Sequence, residues 1–173
     1  MTILASDIID HAFLERLAII NPVALRSRPL MPFVNWLIEH RTFTVGLPRQ
    51  TLKTSTLVYH TNENTLFIAP NEIMRHHTIN HCGDGEKLPT IHPIFTPDSL
   101  LRFAMSGAID QHLHRADGPS SLSPTQQFSQ IFIDEHDSLD IQRQETVFRA
   151  LDLLQRRHRL ADNVFVLRVG TPR

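Results

Sequence analysis

The stretch Leu57-Val58-Tyr59-His60-Thr61-Asn62-Glu63-Asn64-Thr65-Leu66-Phe67-Ile68 decides how this chain is read. Two largely apolar runs, 57–60 and 65–68, flank Thr61–Asn64, whose asparagines tolerate tight-turn backbone angles. That is the signature of a β-hairpin. Upstream, residues 6–20 read as an amphipathic helix: Ser6 can cap it, and Ile8, Ile9, Ala12, Phe13, Leu17 and Ile20 share a face. Asn21-Pro22 stops it, and a second helix is expected over 29–40 with Trp36 at the edge of its apolar face. Thr42–Val45 is a short extended stretch, and Pro70-Asn71 ends the hairpin and opens a short helix through Arg75.

Downstream, Thr96-Pro97-Asp98 starts a helix expected to reach about Arg115, and 116–125 reads as a flexible loop. Residues 126–134 fit either helix or strand, 138–160 fits the longest helix, and Val164–Val169 fits a terminal strand. The expected architecture is therefore a single α+β domain over 1–173. Its helices would pack around a small, mainly antiparallel sheet with the hairpin at its centre.

Composition narrows the functional classes. The chain has 173 residues, 41% hydrophobic and 20% charged, which excludes wholesale disorder. Its formal net charge of −1 is not the basic balance that makes nucleic-acid binding the default. The 11 histidines would make it more cationic as pH falls from about 7 to about 5. A single cysteine, Cys82, rules out an internal disulfide. The first residues are interrupted by Asp7, Asp10, Glu15 and Arg16, so neither a secretory leader nor a membrane span is expected, and the setting reads as cytoplasmic and bacterial in style.

Chemistry-bearing clusters are few. The segment 75–92 holds His76, His77, His81, Cys82 and His92; on a helix, His77 and His81 would stand four residues apart and share a zinc ion, with Cys82 or His92 as a third ligand. No H-E-x-x-H and no paired Cys-x-x-Cys accompanies them, and a histidine-rich surface loop explains the same residues. Asp134, Glu135, His136, Asp137 and Asp140 form an acidic cluster around one imidazole that could bind a cation or hold a charged His, and that reads first as the approach to a helix N-terminus. Arg156, Arg157 and Arg159, with Arg149 behind them, could contact phosphates or close a helix whose C-terminus favours cations. No nucleophile elbow, P-loop or dinucleotide fingerprint is present.

Residues 33–75, through Phe33, Trp36, Leu37, Val58, His60, Leu66, Ile68, Pro70 and Ile73, resemble the C-terminal domain of the large relaxases of integrating conjugative elements. The resemblance covers about a quarter of the chain and consists mostly of core pattern. It implies a DNA-associated or assembly role in a mobile element, and no catalytic residue carries over. After the hairpin the family continues into a basic helix, whereas this chain enters its histidine-rich segment. A lesser resemblance, of TLFIAPNEIMRHH to the sensing half of arabinose-regulator-type factors, would need strands where residues 1–41 read as helix.

The expectation is a non-enzymatic binding or assembly protein acting through protein contacts, with nucleic acid as a further partner. Trp36 and the arginines at 149, 156, 157 and 159 are its candidate contact residues. The alternative is a small metal-dependent enzyme or metal-responsive protein built on His77, His81, Cys82 and His92.

Overall fold

The computed structural model describes residues 4–49, 52–81, 94–106 and 126–171. A 3-10 turn (Ala5–Asp7) leads into α1 (His11–Ala18), α2 (Pro22–Ser27), α3 (Phe33–Arg41) and β1 (Thr42–Gly46). Then follow α4 (Lys53–Tyr59), β2 (Thr65–Ile68), α5 (Glu72–His81), β3 (Ile94–Phe95) and α6 (Pro97–Ser106). The chain closes with β4 (Phe128–Ile133), a 3-10 turn (His136–Ser138), α7 (Ile141–Arg156) and β5 (Leu160–Gly170). Side-chain caps mark the starts of α1, α2 and α7. Asp10 accepts from Phe13 N (2.7 Å), Asn21 from Ala24 N (2.7 Å) and Asp140 from Arg143 N (2.8 Å).

The five strands form one sheet in the order β1-β5-β4-β2-β3, and every pairing is parallel. This overturns the expected α+β architecture: the fold is α/β, and the described residues contain no hairpin. Residues 57–59 belong to α4, where Leu57 and Val58 are buried in succession and Tyr59 is exposed. The asparagines do make a turn, with Thr65 N donating to Asn62 O at 3.0 Å, but it joins a helix to a strand. All four residues of β2 are buried, because a parallel strand covered on both faces needs apolar side chains on both. A nearly continuous apolar run is therefore the signature of this strand, and the same run is what a hairpin arm would show.

Alternate residues feed two cores. Leu66, Ile68, Ile131, Ile133, Val164 and Val166 pack under α3, α6 and α7. Phe67, Ala69, Phe132, Phe165 and Leu167 pack on the opposite face with α1 and α4, and with Met74 and Ile79 of α5. Arg41, 2% exposed, ties the first helices to the sheet: its guanidinium donates to Val164 O (3.1 Å), Ile19 O (3.0 Å) and Asn163 O (2.8 Å). Among the described residues, no helix is long and apolar enough to cross a membrane.

Candidate functional site

The topology itself singles out one place. From β2 the chain leaves along α5 on one face towards β3; from β4 it leaves along α7 on the other face towards β5. Neighbouring strands whose connections diverge in this way leave a crevice at their carboxyl ends, where open α/β sheets bind ligands. Here that switch point lies between Ile68-Ala69-Pro70-Asn71 and Ile133-Asp134-Glu135.

Asp134 occupies it. The residue is 0% exposed, and its side chain lies two positions beyond Phe132 on the α4 face of the sheet. Its N–H donates to Ile68 O (3.0 Å), bridging the two strand ends. Oδ2 accepts from Thr54 Oγ1 at 2.6 Å, whereas Oδ1 is buried with no partner among the described residues. Burial raises the carboxyl from the ordinary aspartate range to about 6, and the charge of Glu135 adds to the rise. The Thr54 hydroxyl, the Glu135 backbone N–H and the Lys53 ammonium oppose it without cancelling it.

Most of the surrounding groups are already paired, although His136 Nδ1 is buried without a partner among the described residues. Lys53, 6% exposed, lies 2.9 Å from Glu135 Oε1 and donates to Thr171 Oγ1 at 2.6 Å. His136 Nε2 is 3.0 Å from Asp137 Oδ1, and Asp137 Oδ2 accepts from the N–H of Thr171. This packing needs the glycine at 170, since a Cβ there would collide with the Asp137 carboxylate and the His136 ring. On the α5 side, Glu72 pairs with the buried guanidinium of Arg75 at 2.6 Å and accepts from Thr96 Oγ1 at 3.5 Å. Leu52 (φ 56°) and Glu135 (φ 45°) both adopt left-handed backbone at this edge. Non-glycine residues are uncommon there.

The residues expected to bind metal are only partly placed. His77 lies on α5 and is exposed; His81 closes that helix; Cys82 and His92 lie outside the described residues. Among the described residues no group of three or more His, Cys, Asp or Glu side chains could hold a metal ion.

The candidate contact residues separate as well. Trp36 is fully buried and presents no surface; its indole N–H donates to Ala24 O (2.7 Å), so it holds α2 against α3. It therefore does not lie at the edge of its helix face, as its position in the sequence suggested. Arg149 is exposed on α7, and Arg156 pairs with Asp152 at 2.7 Å. Arg157 donates to Met105 O at the end of α6, and Arg159 lies over the rings of Phe103 (5.7 Å) and Phe128 (5.8 Å). No protein-family model matches this chain, and neither does any curated protein.

The acidic cluster is legible in the sequence, but as a helix approach, and Lys53 and Thr54 carry no local signal there. One signal was available: the apolar run Ile131-Phe132-Ile133 stops on a carboxylate, as a buried strand ending at a site does. Nothing in the sequence joins residues 53 and 54 to residue 134, because that contact exists only through the crossover.

Proposed function

We propose that this chain is a non-enzymatic binding protein that takes a small ligand in the crevice between β2 and β4. The observation that carries this reading is the unpartnered Oδ1 of a fully buried Asp134 at the topological switch point. A buried acceptor without a partner is uncommon in a folded chain. It calls for an N–H or ammonium donor. The nearby cation, Lys53, is committed to Glu135, so the edge favours a ligand carrying an amine or amidine over an anionic one.

Action through protein contacts is the second half of the proposal. It is supported by Ile19, Val23 and Leu30, which stand 70%, 64% and 81% exposed around the α2 segment that Trp36 anchors. A DNA-associated role in a mobile element rests on the resemblance of residues 33–75. Replacing Arg156, Arg157 and Arg159 would flatten the salt dependence of DNA binding if that role is correct. Metal binding by the 77–92 segment is tested by elemental analysis of the purified protein.

The ligand site is tested by titrating isotope-labelled protein with small amines and amidines, using matched carboxylates as controls. Amines should shift the amide signals of Thr54, Ala69, Asn71 and Asp134–Asp137 first, and Asp134→Asn should weaken them by about tenfold, the loss of one charge-assisted hydrogen bond. Shifts confined to other surfaces, or equal response to the carboxylates, would reject the site.

A further inference from the structure

We propose that the first turn of α4 is a proton-operated latch over this ligand site, closed when Asp134 is protonated and released when it ionises. The inference rests on the ligand-site reading only for what the latch guards; the latch itself is argued from the joint between α4 and the sheet.

Asp134 has no exposed surface, so a ligand can reach Oδ1 only if something covering it moves. The element bonded directly to its side chain is the first turn of α4. Thr54 donates to Asp134, while the neighbouring Lys53 reaches Glu135 and Thr171. These attachments are polar and grouped on two consecutive residues. The rest of α4 is held differently, by Leu57 and Val58 in the apolar core. The turn is entered through Leu52 in left-handed backbone (φ 56°), a strained conformation for leucine that release would relax. The first turn can therefore open while the second stays packed.

Protonation sets the balance between the two states. With Asp134 neutral, the dry joint holds no uncompensated charge, and Thr54 still bonds Oδ2. With Asp134 ionised, the negative charge, Oδ1 included, is held out of water, and the Glu135 N–H, the Thr54 hydroxyl and the Lys53 charge offset that burial only in part. Opening the first turn would admit water to that oxygen. The other charged groups near the carboxyl add little to that relief. Lys53 of α4 is shared with Glu135 of the β4 loop, and Glu135 itself opposes the charge. His136 Nε2 faces Asp137, which also accepts from Thr171, and His136 Nδ1 is buried without a partner among the described residues. Glu72 of α5 is turned to Arg75 and Thr96. The carboxyl is raised to about 6, which places the change between mildly acidic and neutral pH.

Hydrogen exchange on the intact chain tests the latch without any ligand. The reporter is the amide of Thr56, which donates to Leu52 O across the first turn (2.9 Å). After correction for intrinsic exchange, its protection should fall by about tenfold between pH 5 and pH 7.5, within the range that a two-unit pKa rise supplies. Amides in the middle of α7 should not follow it. Asp134→Asn should keep Thr56 protected at both pH values, and Thr54→Val should lower its protection at pH 5. His136→Asn, which removes the neighbouring imidazole, should leave the wild-type profile in place. Protection of Thr56 that is independent of pH in the wild type, or equally pH-dependent in Asp134→Asn, would overturn the latch. So would a pH dependence that disappears only in His136→Asn. An amine that binds at the edge equally well at both pH values would keep the site and remove the latch, so the two proposals fail separately.

Discussion

The two edges of the sheet are built in opposite ways. At the carboxyl edge, Lys53, Thr54, Asp134, Glu135, Asp137 and Thr171 are tied together by short polar contacts, with one aspartate wholly out of water. At the amino edge, Arg157 and Arg159 lie against Met105 O and the rings of Phe103 and Phe128, while Arg156 stays with Asp152 at the surface. The parallel topology is the cause. Each crossover helix runs antiparallel to its strands, so the N-termini of α4, α5, α6 and α7 meet at the carboxyl edge and their C-termini at the other. Acids suit the first end of a helix dipole and cations the second. The dipole accounts for Asp140 and for Arg156. It does not account for a fully buried Asp134, and that is why the carboxyl edge is read as the site.

Four substitutions probe the contrast. Phe128→Ala should have the largest effect. It removes a fully buried ring from the amino edge and strips Arg159 of one of its aromatic partners, so denaturant unfolding should show a loss of about 3–5 kcal/mol. A loss under about 1 kcal/mol would mean that the amino edge is not packed as described.

Asp134→Asn should act in the opposite direction, and with a pH signature. Because the folded carboxyl is raised to about 6, the folded chain binds its proton more tightly than the unfolded chain does. The stability that this proton contributes is present at low pH and is lost as pH rises through about 6. The asparagine variant should therefore gain on the wild type across roughly pH 4 to 6.5, reaching about 1–3 kcal/mol at pH 8. Parallel stability curves for the two proteins over that range would refute the buried, ionising aspartate.

Arg159→Ala should cost about 1 kcal/mol through its lost ring contacts, against less than about 0.5 kcal/mol for Arg149→Ala on the exposed face of α7. Equal losses would make the amino-edge arginines interchangeable surface charges. Thermal melts of the two variants in one buffer decide it.

Much of the element order was legible. The longest helix, expected over 138–160, is Ile141–Arg156, and its cap Asp140 stands where an acid before an apolar-periodic run belongs. The short stretch at 42–45 is β1, and the terminal run at 164–169 lies within β5. The helix expected to begin at Thr96-Pro97-Asp98 does so, with Thr96 N donating to Ser99 Oγ at 2.8 Å. The helix over 6–20 was overextended: Asp10, and not Ser6, caps α1. The misreading at 57–68 mattered most. The nine positions that carry the relaxase resemblance fall on α3, on α4 and the turn after it, on β2 and in the segment through α5, and not on a hairpin.

Local sequence thus determined where helices start, which runs are apolar, and that acids gather in one stretch and arginines in another. Capping, periodicity and charge bias act over a few residues and leave their marks within those residues. Tertiary structure alone decided that the strands are parallel and that β2 lies between β4 and β3. It also decided that Thr54 of α4 meets Asp134 across 80 residues of chain. A four-residue apolar run is equally good as a hairpin arm or as a strand buried on both faces. What separates them is the layer of helices on each side, which belongs to the whole fold.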